Sequence, residues 1–201
     1  MSNSHPMRAV FKKEVIHFTV GTAIGLALFS FPRFYMLLFL AASTFVMIAF
    51  EIIRFAVQSL NLKFANWFSF VVRKGEERKV TGSTYFLIAS LITALVFPKY
   101  IAVPSILFAA LGDSMATVVG SWIGKHKFRG KSIEGNLACL ATCLVIGIIF
   151  SSIFPELSPI MAITGAVAAT IFQALNLPLN DNLTIAPGSA IVMAIFSQFA
   201  R

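Results

Sequence analysis

Residues 100–123 read YIAVPSILFAALGDSMATVVGSWI. The run is long enough to cross a bilayer, which takes about 20 mostly apolar residues, and its single charge is Asp113. A carboxylate in such a helix costs about 2.5–3.5 kcal/mol on insertion scales, so it is read first as functional. Gly112-Asp113-Ser114 also suits a helix start, with Asp113 or Ser114 as N-cap. The expectation is a broken helix whose new N-terminus faces a cavity.

The rest of the chain has the same character. Of its 201 residues, 58% are hydrophobic and 12% charged, with a mean hydropathy of +0.85. Soluble domains carry about 25% charged residues, and a small soluble fold has too much surface for this composition. A water-soluble enzyme, a disordered tail and a disulfide scaffold are excluded. The expected fold is all-α: one integral membrane catalytic domain over residues 1–201, with about seven transmembrane helices. The spans fall at 15–31, 34–50, 85–97 (reaching back to about 81), 100–123, 137–154, 157–175 and 183–199. The first two, parted by Pro32 and Arg33, predict a tight helical hairpin. The first is too long for a cleavable signal peptide, and the second follows at once. Residues 61–72, with Phe64, Trp67 and Phe68 at helical spacing, predict an interfacial helix on the cytoplasmic leaflet.

Charge sets the orientation. The net charge is +8, and thirteen of the sixteen Lys and Arg fall on one side of the seven-span layout, leaving Arg33, Lys99 and Arg201 opposite. The positive-inside rule puts the N-terminus in the cytoplasm. Because these cations sit between apolar runs, they read as loop anchors and phosphate-facing groups rather than a nucleic-acid surface. Cys139 and Cys143, four apart in one span, share a helix face and pack as small apolar residues.

The unusual polar residues gather on that same cytoplasmic side, as expected for chemistry on one membrane face; a transporter spreads them through the bundle. The loop 124–136, GKHKFRGKSIEGN, combines Lys125, Lys127, Gly130, Lys131, Ser132 and Glu134. Glycine backbone with ammonium groups suits a phosphate cradle. It is not a P-loop, since that motif needs glycine where Lys125 stands. Asn180-Asp181-Asn182 offers Asp181 to Mg²⁺, though a turn capping the last span fits the spacing better. Glu51 and Arg54 read as a helix-surface ion pair. His17, beside Lys13 and Glu14, is a base or an interfacial histidine. The Gly21xxxGly25 and Gly120xxxGly124 pairs read as helix-packing contacts.

Several of these motifs, in this order, resemble the CTP-dependent lipid kinases. That family comprises dolichol kinase, phytol kinase and the CTP-using diacylglycerol kinase, and is distantly similar to CDP-diacylglycerol synthase. The resemblance rests on Gly112-Asp113-Ser114-Met115-Ala116, Gly120, Gly124-Lys125-His126-Lys127 and Gly130-Lys131-Ser132-x-Glu134-Gly135. Weaker matches are Lys13 and His17, Glu51 with Arg54, Glu77-Arg78, the stretch Thr81-Gly82-Ser83-Thr84, and Asp181-Asn182-Leu183-Thr184. It implies transfer of the γ-phosphate of CTP to the hydroxyl of a membrane lipid alcohol, with Mg²⁺ or another divalent cation. Asp113 would be the central catalytic or metal-binding carboxylate, with Asp181 and Asn182 as a second polar wall. Lys125, Lys127, Lys131 and Ser132 would hold the triphosphate, with Arg78, Thr81 and Ser83 lining the site. Gln173 departs from the family, which has an acidic residue there. Two other readings stand beside it: a cytidylyltransferase making a CDP-lipid, and a small membrane transporter.

Overall fold

The structure, a computed structural model, describes residues 4–67, 79–175 and 179–198, with side chains from residue 10 onward. Among these residues run α1 (Ser4–Ser30), α2 (Arg33–Ala56), α3 (Gln58–Trp67), α4 (Gly82–Val96), α5 (Lys99–Leu107), α6 (Asp113–Ile123), α7 (Ile133–Ile153), α8 (Pro159–Ala174) and α9 (Asp181–Ser197). Between α6 and α7 lies an antiparallel hairpin of β1 (Lys127–Phe128) and β2 (Lys131–Ser132). The chain is thus nearly all-α. Among the described residues, three helices are long and apolar enough to cross a membrane: Arg33–Ala56, Lys99–Ile123 and Ile133–Ile153. Gly82–Val96 and Pro159–Ala174 are shorter apolar helices.

The helix Lys99–Ile123 is the axis of the bundle. Every residue from Ile101 to Leu107 is buried, and α1, α4, α7 and α9 pack around it. The helix α8 fills the space between α7 and α9, while α2 lies outside, against α4. Outward-facing Phe45, Val46, Leu137, Ile148 and Ile171 are exposed. Apolar exposure on this scale suits a lipid-facing surface.

The expected break at Gly112 does not occur. Gly112 and Asp113 both keep helical backbone angles, and Asp113 caps nothing. The helix instead widens into one π turn, Phe108–Gly112, and continues straight into α6. Gly-Asp-Ser resembles a cap in isolation, but neighbours on every side hold the backbone helical.

The first two spans do not form a paired hairpin either. The helix α1 packs on α5 and α6, whereas α2 turns away to α4. Arg33 directs this divergence. Its guanidinium donates to the carbonyls of Ala94 (3.1 and 2.8 Å) and Leu95 (2.9 Å), satisfying carbonyls that the end of α4 leaves open. Lys99 Nζ likewise donates to Phe31 O at 3.3 Å. The helix α3 overlaps residues 61–67 of the expected interfacial helix; residues 68–72 lie outside the described residues.

Side-chain caps fix the other ends. Ser158 accepts from Met161 N with Pro159 at the first helical position of α8. Ser132 caps α7 by accepting from Gly135 N, and Asn180 caps α9 by accepting from Asn182 N.

Candidate functional site

The site begins with the seam of α1. Glu14, Gly21, Ile24, Gly25 and Leu28 are buried and His17 is half-buried, a three-four spacing that sets them on one helix face. A Cβ on Gly21 would stand 2.3 Å from Ala110 Cβ, and one on Gly25 2.5 Å from Leu107 Cδ2. Only glycine lets the two backbones approach so closely. Gly25 opposite Leu107 and Gly21 opposite Ala110 make α1 antiparallel to the central helix. Two turns nearer its start, α1 therefore delivers Glu14 to the beginning of α6, where it faces Ser114.

The π turn sits directly beneath. Such a turn inserts one extra residue and rotates everything after it relative to what came before. Its loosened carbonyls find partners from flanking helices. The Cys143 thiol lies 4.0 Å from Phe108 O, and His17 faces the Ala109 backbone while its ring meets Phe86 edge-on at 4.9 Å. Cys139 and Cys143 are buried free thiols, their sulfurs 4.0 Å apart. They pack against Gly112, where a Cβ would meet Cys143 Sγ at 2.6 Å. The cysteines are packing residues, as their spacing predicts.

Asp113 thus emerges half-buried at the start of α6. The charges of Glu14, Asp181, Lys131 and Lys13 all act on it. Lys131 is the organising cation: its Nζ donates to Asp181 Oδ2 at 2.7 Å and to the backbone oxygen of Gln173. One ammonium thereby ties the hairpin to the end of α8 and the start of α9.

The segment 124–136 is not a loose glycine loop. Arg129 (φ 51°) and Gly130 (φ 88°) form its turn with positive φ at both positions, as a type I′ two-residue hairpin requires. Lys127 pairs with Ser132, and Phe128 with Lys131. His126 Nδ1 lies 2.8 Å from Glu134 Oε1, and its amide reaches the same oxygen at 3.2 Å, which closes the base of the hairpin. Ser132 fills the groove beside Gly120, Gly124 and Gly135. Lys125, Lys127 and Gly130 are exposed, away from the inward-pointing Lys131.

A second cluster lies alongside. Glu51 and Arg54 are not on the surface: they are 3% and 0% exposed. Arg54 pairs with Glu51 and donates to Asn61 Oδ1 (2.9 Å) and Lys79 O (2.8 Å). The other Glu51 oxygen accepts from Thr81 N (2.9 Å) and the Thr84 hydroxyl (3.2 Å). The surface-pair expectation is overturned because the chain after α2 folds back over it. The pair clasps α2, α3 and the start of α4 together.

Asn182 lies beside this clasp, since its amide nitrogen is 2.6 Å from where a Gly82 Cβ would be. The starts of α4 and α9 are therefore adjacent, and Lys131 draws the start of α7 towards them. Converging helix N-termini favour anions. At this end, His17 Nε2, Asn136 Oδ1, Gln173 Oε1 and Asn182 Oδ1 are buried without a hydrogen-bond partner among the described residues. Buried polar groups of this kind are normally satisfied by ordered water or a ligand.

The structure therefore brings Asp113, Asp181 and Lys131 together, with Asn182 beside Gly82. It ties Glu51, Arg54 and Thr81 into the clasp. Ser132 and Glu134 are engaged in shaping the hairpin, and Ser83 is exposed at the start of α4. Arg78 lies outside the described residues. Glu14 carries no assigned role in the sequence reading, although its place on the glycine seam marks it.

No family model matches the chain, and no solved structure does. Among curated proteins, an uncharacterized protein of Rickettsia prowazekii is 26% identical over 171 residues, covering 82% of this chain and 84% of that protein. A phytol kinase of Synechocystis is 30% identical over 106 residues, covering 49% of this chain. The chain spans 45% of that kinase's length. About half of the chain is thus similar to a protein named as a phytol kinase.

Proposed function

We propose that this protein is a CTP-dependent kinase of a membrane lipid alcohol: a polyprenol or dolichol, a phytol-type isoprenoid, or diacylglycerol. The observation that carries the reading is Asp113, set by a π turn among Asp181, Lys131 and Glu14 where helix N-termini converge. Partial similarity to a phytol kinase supports it, and the motif order supports CTP as the donor. By the distribution of Lys and Arg, the site faces the cytoplasm.

In the reaction, the lipid hydroxyl oxygen bonds to the γ-phosphorus while the bond from that phosphorus to the β–γ bridging oxygen breaks. The hydroxyl proton passes to a carboxylate at the site, and CDP leaves. Phosphoryl transfer depends on positioning and charge neutralisation more than on covalent help. Lys131 would hold the triphosphate, with Lys125 and Lys127 drawing it in from solvent. No three His, Cys, Asp or Glu side chains among the described residues form a ready-made metal cage. Mg²⁺ does not need one, because it takes one or two carboxylates and completes its shell with substrate phosphates and water. The donors present fit that pattern, with Asp113 and Asp181 as the carboxylates. When bound, the ion would neutralise developing charge on the phosphate oxygens.

The test is a labelling experiment on purified protein in detergent with Mg²⁺ and a panel of polyprenol, phytol and diacylglycerol. The expected result is γ-label moving from CTP to a lipid. Transfer of α-label into a CDP-lipid would replace this reading with the cytidylyltransferase one. No transfer of either label would remove both, and ion or solute flux in sealed vesicles would then test transport.

A further inference from the structure

We infer that Glu14 is a ligand of the divalent cation at this site, completing with Asp113 and the Ser114 hydroxyl a seat that spans α1 and α6. The inference deepens the kinase reading and rests on it for the identity of the ion.

Glu14 is 4% exposed, and it forms no ion pair among the described residues. Its place follows from the glycine register of α1, which brings it to the start of α6. Ser114, at 2% exposure, turns its hydroxyl towards Glu14, and that hydroxyl has no other partner among the described residues. Two carboxylates on adjacent helices repel each other, and burying an uncompensated charge is costly. Lys131 is engaged by Asp181 and the Gln173 carbonyl, and Lys13, whose charge acts on both carboxylates, is exposed to solvent. The cation that these oxygens lack is a hard one with oxygen ligands, for which carboxylate and hydroxyl donors are suited. Asp181, paired with Lys131, is free to join only when that ammonium turns to phosphate. Glu14 and Asp113 would therefore bind the ion before the nucleotide arrives.

The experiment uses the full chain in detergent, with Mn²⁺ as probe and no nucleotide or lipid, and follows loss of the free-ion electron paramagnetic resonance signal. We expect one bound ion in the wild type, binding weakened tenfold or more in Glu14→Gln and Asp113→Asn, and less than threefold in Asp181→Asn. Thermal unfolding of each variant with and without Mn²⁺ gives a second reading, in which the ion should stabilise wild type but not Glu14→Gln. If Glu14→Gln does not fold, Glu14→Asp, which keeps the charge but shortens the reach, should show intermediate affinity. Wild-type affinity in Glu14→Gln, or in Glu14→Asp where only that variant folds, would overturn the assignment even if lipid phosphorylation is found. Absence of lipid phosphorylation with the Mn²⁺ pattern intact would instead remove the kinase reading and leave the seat standing.

Discussion

Asp113 stands out in the sequence because a lone carboxylate in an apolar run is expensive. Glu14 does not, since at the edge of a span beside Lys12 and Lys13 it looks like an ordinary polar flank. Only the contacts of Gly21 and Gly25 with the central helix show which way it points. Glu51 and Arg54 misled for the opposite reason: their spacing of three describes a surface pair equally well, and burial comes from a distant turn. Replacing Glu51 by Ala would break its buried pair with Arg54 and take away the acceptor used by Thr81 N and the Thr84 hydroxyl. The expected cost is about 3–5 kcal/mol, read as a lower unfolding temperature in detergent. Lys131→Met should act on chemistry instead. It removes a cation from the phosphate site, and kcat/KM should fall by about 10²–10³-fold with the helical circular dichroism unchanged.

At the scale of elements, the π turn is the feature the sequence did not display. Pro104 inside the helix and Gly112 at the end of the turn hint at irregularity, but the extra residue is fixed by packing. Flanking side chains take up its carbonyls, and the cysteine pair fills the space over Gly112. The hairpin was legible as a basic glycine segment, and its order was not, because Glu134 and His126 only meet once the turn has formed. Gly135 lies where α7 crosses α6, with a Cβ there 2.5 Å from Ala116 O. Gly135→Ala should therefore overpack the crossing and destabilise by about 1–3 kcal/mol, measurable as a shift in thermal unfolding.

For the whole molecule, membrane character follows from composition alone, since no packing arrangement hides this much apolar surface in a small fold. The ring of helices around Lys99–Ile123 does not, because every helix is apolar enough to take the centre. What distinguishes the central one is its small and polar content, Ala102, Ser105, Ala109, Ala110 and Gly112, which lets neighbours approach on all sides. The molecule is also polarised, with Asp113, Asp181, Lys131 and the exposed cations of the hairpin at one end. Neutralising Lys125 and Lys127 together should raise KM for the nucleotide several-fold, leave kcat nearly unchanged and flatten the dependence on ionic strength. The central claim is that Asp113 is the carboxylate on which phosphoryl transfer turns. A single-turnover reaction with γ-labelled CTP and lipid alcohol, run side by side on wild type and Asp113→Asn, tests it most directly. We predict labelled lipid from the wild type and none above background from the folded variant; equal label from both would contradict the account.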